Sequence, residues 1–113
     1  MLKETYLANL KNVPAEAVKV RVARPAILSP SKELLKDWKG GKITWNEYET
    51  RYKAEILSSQ EAVETIKLIK ELSEHKDVYL YCYEKNPPCH RFILLELIRD
   101  QRGAKYNAKT KSW

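Results

Sequence analysis

The run VYLYCY, residues Val78 to Tyr83, constrains the fold of this chain more than any other stretch. Successive side chains of a strand point to opposite faces, and here both sets of positions are apolar or aromatic. A strand of that kind lies in the middle of a sheet whose two faces are covered by helices. We therefore predict that Val78 to Tyr83 forms the central strand of an α/β domain.

Two further strands are predicted near the start of the chain. A short strand is expected around Lys3 to Ala8, and AVKVRVA predicts a second strand because its valines alternate with charged residues. The second strand is expected to end at Arg24 and Pro25. Both strands are candidates to flank the central one.

Three helix starts are predicted between these strands and the central strand. One is a serine followed by proline, and two are a threonine or serine three positions before a glutamate, which is the capping-box pattern. The glycine pair at 40 and 41 predicts the end of the first helix, and the third helix is amphipathic over roughly residues 59–75. The predicted starts are Ser29/Pro30, Thr44/Glu47 and Ser58/Glu61.

A last helix is predicted after the central strand. Asn86 is its expected N-cap, Pro87 and Pro88 suit its start, and Gly103 its end. The sequence RFILLELI leaves this helix almost no polar face, which predicts that it is buried, and a short strand is expected near residues 104–107. The predicted fold is α/β, a small three-layer arrangement with a mainly parallel sheet and helices on both faces.

The length and charge of the chain suggest one domain with a basic extension. The 113 residues are predicted to form a single domain over 1–107 and a tail over 108–113. The net charge is +6, and residues 99–113 contribute five basic side chains and one acid. Such a tail is either a solvated extension or an arm that contacts phosphates, and no nucleic-acid-binding signature accompanies it. The oligomeric state is not predicted.

The sequence contains no apolar leader and no run of membrane-spanning length, so we expect a cytoplasmic protein without a membrane partner. In a reducing cytosol, cysteines are more often free, catalytic or redox-active than joined in structural disulfides. Whether Cys82 and Cys89 form a disulfide is left open.

Residues with reactive side chains are predicted to meet at one rim of the sheet. Ligands of open α/β sheets bind outside the carboxyl ends of the strands. Cys82, Tyr83 and Glu84 lie at one such strand end, and Arg24 lies at another. Residues 89–91, Cys-His-Arg, fall in the first helical turn, where unpaired backbone N–H groups attract anions. The sequence thus predicts an anion-binding pocket at this rim.

The segments NLKNVP, RVARP, WNEYETRYKAEIL and LYCYEKNPPCHRFILLELI together resemble the domain of unknown function 488 family over nearly the whole chain. The most specific part is a strand ending in Cys-x-Glu-Lys, followed by Cys-His-Arg at a helix start. The resemblance implies a small α/β fold whose biochemical activity is unassigned. It also implies a signature of Cys82, Glu84, Lys85, Cys89, His90 and Arg91, with Arg24 at the neighbouring strand end.

Cys89 and His90 are the candidate catalytic residues. A helix N-terminus, His90 and Arg91 would each favour the thiolate of Cys89, which makes it a candidate nucleophile, although a buried packing cysteine fits the pattern equally. His90 is either an acid or base or a residue that satisfies local backbone groups. Cys82 on its apolar strand is expected to pack in the core.

The candidate anion-binding residues are Arg24 and Arg91, with Cys82, Glu84 and Lys85 in supporting positions. Arg91 either clamps a phosphate or carboxylate or pairs with a local acid such as Glu84 or Glu96. Glu84 is a candidate base, although a salt bridge is favoured. A tyrosine-phosphatase loop is excluded because its arginine follows the cysteine by six positions, which places Pro88 where Arg is needed.

No metal and no cofactor are expected. Cys82, Cys89 and His90 are only three ligands, fewer than a structural zinc site needs. Neighbouring residues on a helix also diverge by about 100°, so Cys89 and His90 could reach one metal only from a distorted loop.

Four aromatic residues have two interpretations. They either line a ligand platform or form the core-facing edge of a helix, and the second is more common. They are Trp38, Trp45, Tyr48 and Tyr52.

Two functional hypotheses follow, and whether the protein is an enzyme is left open. In the first, the rim pocket binds an anionic small molecule or phosphate group, and Cys89 and His90 react with it. In the second, the protein is a non-catalytic module that binds nucleic acid or protein through its basic surface and tail.

Overall fold

A three-stranded parallel sheet forms the centre of the molecule. In the computed structural model, which describes residues 1–24, 26–83, 85 and 89–99, the strands are β1 (Leu2–Tyr6), β2 (Val18–Arg21) and β3 (Val78–Cys82). Their order is β1-β3-β2, and both outer strands pair with β3 in parallel. The predicted central strand, the parallel sheet and the α/β class are therefore confirmed.

The remaining described elements are helical. A 3-10 helix (Leu7–Asn12) follows β1, and the α-helices are α1 (Lys32–Lys39), α2 (Trp45–Leu57), α3 (Gln60–Ser73) and α4 (His90–Arg99). Three α-helices thus separate β2 from β3, as predicted.

The start of α1 differs from the prediction by two residues. Its N-cap is Ser31, whose hydroxyl accepts the backbone N–H of Leu34 at 3.1 Å, and the helix ends at Gly40 as predicted. Ser29 instead donates its hydroxyl to the carbonyl of Ala26 within a preceding turn. The proposed Ser29 cap was wrong because that side chain is used by the turn.

The two predicted capping boxes have different outcomes. The Thr44 box of α2 is confirmed, with both reciprocal bonds to Glu47 present. The prediction for α3 was wrong by one residue, since Ser59 is the N-cap and accepts from the N–H of Ala62. Ser58 ends α2 instead, with its hydroxyl donated back to a carbonyl of that helix.

One face of β3 belongs to the main hydrophobic core. Val78, Leu80 and Cys82 are buried in one cluster with apolar side chains of α3 and α4. Tyr79 and Tyr81 point to the opposite face and are half-buried. Because β3 lies against α4 on its buried face, Cys82 at its carboxyl end comes close to the start of that helix.

Several predictions fall outside the described residues. They concern the helix start at residues 86–88, its end at Gly103, the strand near 104–107 and the tail at 108–113. The division into a domain and a tail therefore stays a prediction. Within the part of the chain that the structure describes, no helix combines the length and apolar character needed to cross a membrane.

Candidate functional site

A cavity of about 160 Å³ lies at the carboxyl end of β3. Cys82 ends β3, Arg24 follows β2, and Lys39 ends α1. The side chains of these residues line the cavity together with Cys89 and His90 at the start of α4. The prediction that strand ends and a helix start converge here holds for Arg24, Cys82, Cys89 and His90.

Aromatic side chains form one wall of the cavity. Trp45 stacks on Tyr48 with ring centroids 4.7 Å apart and planes 11° apart, and Trp38 packs edge-on against Trp45 at 5.2 Å. All three line the cavity, as does the exposed Tyr83. Tyr48 is also buried in the core with Tyr52, so the platform and core interpretations each describe part of this group.

Cys82, Cys89 and His90 form a buried group that we call the Cys-Cys-His cluster. The two sulfurs and one imidazole nitrogen all lie within 4.8 Å of one another, and Cys89 Sγ is 3.8 Å from His90 Nδ1. No disulfide joins the two cysteines. The expected divergence of Cys89 and His90 was wrong because Cys89 precedes the first residue of α4, so helical geometry does not separate them.

The orientation of His90 follows from its neighbours. Its Nε2 is hydrogen-bonded to the backbone carbonyl of Val22, just beyond β2. A carbonyl oxygen only accepts, so Nε2 carries a hydrogen, and in the neutral form of the ring the lone pair is on Nδ1. That lone pair is on the side of Cys89, while the ring of Tyr52 packs edge-on at 5.5 Å.

The surroundings of Cys89 favour its thiol over its thiolate. A hydrogen bond with Cys82 and the burial of the thiol raise the pKa of Cys89 well above its usual range. The backbone N–H and the positive charge of Arg91 act in the predicted direction, but they are outweighed. Of the two interpretations of Cys89, these influences favour the buried packing cysteine, since the residue is only 5% exposed and shares its site with a second thiol.

Arg91 lies beside the cavity and does not line it. Its guanidinium is buried, with Nε donating to Glu4 Oε2 at 2.7 Å and Nη2 donating to the carbonyl of Lys85 at 2.8 Å. The structural interpretation of Arg91 describes these contacts, and among the described residues its acidic partner is Glu4 of β1. The structure thus brings only one of the two predicted arginines, Arg24, to the cavity.

Arg24 and Lys39 give the cavity its positive charge. Both are exposed, and Arg24 Nη1 donates to the carbonyl of Pro30 at 3.3 Å. Neither cation belongs to an ion pair within the residues that the structure describes. Lys39 was not predicted as a site residue, and its only signal in the sequence was its position just before the glycine pair.

The remaining predicted residues lie at the edge of the site or outside the described part. The side chain of Lys85 is exposed, and its amine lies 5.9 Å from the ring centroid of Tyr6. Glu84 is outside the described residues, as are the basic residues after Arg99. Arg99 itself donates to the carbonyl of Leu2 at 2.9 Å.

A comparison with known proteins identifies the family. The family model described as "Active DUF488-N3 subclade" matches residues 7–102, a span that contains every predicted site residue. No curated protein and no solved structure matches the chain. Because the match covers most of the chain, the protein belongs to the domain of unknown function 488 family, within the DUF488-N3 subclade.

Proposed function

We propose that this protein binds a small anionic molecule with a planar ring in the cavity at the end of β3, and that the Cys-Cys-His cluster is its reactive centre. The observation that supports this most directly is the composition of the cavity lining. Two cations, an aromatic wall and the cluster all border the same space. Sites of small ligands are typically concave and mostly apolar, with a few polar groups that fix orientation.

The anionic character of the ligand is inferred from Arg24 and Lys39. Neither has an acidic partner among the described residues, so no ion pair described there competes with an incoming carboxylate or phosphate. The guanidinium of Arg24 offers a planar fork that matches either anion. A charge-assisted hydrogen bond of this kind contributes about 1.5–3 kcal/mol.

The planar ring is inferred from the aromatic wall and the size of the cavity. Cavities of about 150 Å³ hold one benzene-sized molecule. The space of about 160 Å³ therefore accepts a single ring against Trp38 and Trp45, with the anionic group near the exposed cations. Aromatic rings that pack offset or edge-on contribute about 0.5–1.5 kcal/mol beyond burial.

Cys89 and His90 remain the proposed reacting groups, and Cys82 joins them. Nδ1 of His90 lies next to the Cys89 thiol, which is the arrangement of a nucleophile beside a base. The description of the matching subclade as active agrees with a chemical role for the cluster.

The test is a titration of the purified protein with benzoate, phenyl phosphate and inorganic phosphate, followed by tryptophan fluorescence and amide NMR shifts. We expect the two ring-bearing anions to bind more tightly than inorganic phosphate and to shift the amides of residues 82, 89 and 90. Arg24→Ala and Lys39→Ala should each weaken binding about tenfold, which corresponds to about 1.4 kcal/mol.

Lys36→Ala is the matched control, because Lys36 lies one turn before Lys39 on α1, is exposed and does not line the cavity. It should leave binding unchanged. Equal losses in all three variants would mean a general charge effect and would refute the cavity as the binding place. Binding of a nucleic-acid strand that Arg24→Ala leaves intact would favour the alternative, a binding module using the tail.

A further inference from the structure

We propose that the Cys-Cys-His cluster is a binding site for one soft divalent cation, with Zn²⁺ the best match, and that its fourth coordination position opens to the cavity. The ligands would be the sulfurs of Cys82 and Cys89 and the Nδ1 nitrogen of His90. The proposal depends on the geometry of the cluster and not on the identity of any cavity ligand.

The spacing of the three atoms is close to that of a tetrahedral zinc site. Zn–S bonds of about 2.3 Å and Zn–N bonds of about 2.0–2.1 Å place two sulfurs about 3.8 Å apart and a sulfur and nitrogen about 3.6 Å apart. Cys89 Sγ and His90 Nδ1 are separated by 3.8 Å, and no pair in the cluster exceeds 4.8 Å. Closing the widest pair requires a shift of at most about 1 Å, which a cysteine side chain makes by a small rotation.

The hydrogen bond of His90 is of the kind that supports a metal ligand. Metal-binding histidines usually donate the other ring N–H to a carboxylate or backbone carbonyl, which fixes the tautomer and the ring orientation. Here Nε2 is bonded to the carbonyl of Val22, which leaves Nδ1 as the ligand atom toward Cys89. This contact is independent of the spacing argument and supports the same conclusion.

The ligand types select the metal. Two thiolates and an imidazole suit Zn²⁺ and other soft or borderline ions, whereas Mg²⁺ and Ca²⁺ prefer oxygen ligands. On binding, each cysteine loses its thiol proton to solvent, so two thiolates offset the charge of the cation. All three ligand residues are buried. A metal centre without net charge suits this position, because burying an uncompensated charge is costly. The positive charge of Arg91 would also favour the thiolate of Cys89.

Three protein ligands among the described residues leave a fourth position. Zinc sites with two cysteines and one histidine that keep a water or substrate in the fourth position are catalytic in other proteins. Cys82, Cys89 and His90 all border the cavity, so the fourth ligand would come from that side. With the ion bound, Cys89 and Nδ1 of His90 would be its ligands and not a nucleophile and a base, so the ion itself would polarise a bound ligand or activate water. That role rests on the proposed function, whereas metal binding itself does not.

The test is Co²⁺ and Zn²⁺ binding to the full chain, reduced with a phosphine that does not bind metal and freed of metal by chelation. Co²⁺ should give a sulfur-to-cobalt charge-transfer band and the intense visible bands of a tetrahedral complex, with one ion per chain, and Zn²⁺ should displace it. The spectrum of hydrated Co²⁺ at a stoichiometric excess of protein would overturn the proposal.

Single substitutions identify the ligands. Cys82→Ser, Cys89→Ser and His90→Gln should each weaken binding by more than the 10–100-fold that is typical of losing an outer partner. His75→Gln is the control, since His75 is the other histidine of the chain and lies in the exposed turn after α3. Tight binding that survives in the cysteine variants, or that is lost in His75→Gln, would refute the assignment.

A measurement on the unaltered protein covers the case in which a variant does not fold. Zn²⁺ should slow alkylation of both cysteines at least tenfold, and a chelator should restore it. Equal labelling with and without Zn²⁺ would refute the site. Arg24→Ala should bind Co²⁺ normally, so loss of anion binding with intact metal binding would count against the proposed function alone.

Discussion

The buried pair between Arg91 and Glu4 is expected to be a main determinant of stability. The side chain of Arg91 is 1% exposed and that of Glu4 is 31% exposed, with 2.7 Å between Nε and Oε2. Glu4→Gln keeps the shape of the side chain and removes the negative charge. Removing one partner of a fully buried pair costs about 3–5 kcal/mol, because the other charge stays buried without compensation.

The partial exposure of Glu4 lowers this expectation to about 2–3 kcal/mol, since water already screens about a third of its side chain and Gln keeps an acceptor. The unfolding entropy of about 2.1 cal/mol/K per residue gives about 0.24 kcal/mol/K for 113 residues. The midpoint of thermal unfolding should therefore fall by about 8–13 °C. Urea unfolding followed by the fluorescence of the three tryptophans gives the free energy directly.

Glu49→Gln is the matched control. Glu49 is 30% exposed, nearly the same as Glu4, but its partner Lys53 is 40% exposed and lies 3.4 Å away in an i,i+4 pair. Exposed pairs of this kind contribute about 0.3–0.5 kcal/mol. If Glu4→Gln and Glu49→Gln lowered the free energy of unfolding equally, burial of the cation would not matter and the reasoning would be refuted. In that refuting case, a double-mutant cycle of Glu4→Gln with Arg91→Met would also show no coupling between the two residues.

Three further substitutions test local features of the fold. Tyr52→Phe should cost about 1–2 kcal/mol in urea unfolding, because the buried carbonyl of Leu28 loses its hydroxyl donor. Thr44→Ala should cost about 1 kcal/mol and lower helix content by circular dichroism on mild heating, whereas Thr44→Ser should cost little. The hydrogen bond from Lys3 lowers the pKa of the Asp77 carboxyl below its ordinary 3.8. The ionised carboxylate therefore stabilises the fold above that ordinary pKa, and this stabilisation is lost as the pH falls through the lower pKa of the folded state. Asp77→Asn should therefore flatten the acid limb of a stability-against-pH curve.

The elements that could be predicted from sequence are those whose signals are local. The central strand follows from apolar residues at both alternating sets of positions, and the Thr44 capping box from side chains three residues apart. The caps at Ser29 and Ser58 were misplaced because another serine lies one or two positions further on. The choice at α1 involves a contact from another helix, since Glu55 of α2 bonds both the amide and the hydroxyl of Ser31.

The sequence by itself determined which reactive side chains gather at one end of the molecule. Parallel strands and the helices between them bring carboxyl ends and helix starts to the same edge, so the order of elements already places Arg24, Cys82, Cys89 and His90 together. The order of elements did not predict Lys39, which also lines the cavity, and it placed Arg91 there, which does not.

Tertiary structure decided what each of those side chains does. Arg91 binds Glu4, which is 87 residues away in sequence, because β1 is paired with β3 under α4. Cys89 keeps its proton because Cys82 and the core surround it, and His90 has a defined tautomer because the carbonyl of Val22 faces it. Separations of a few ångströms between distant parts of the chain set charge, protonation and ligand geometry. These separations depend on which elements pack together. The periodicity and local spacing of the sequence do not specify that packing.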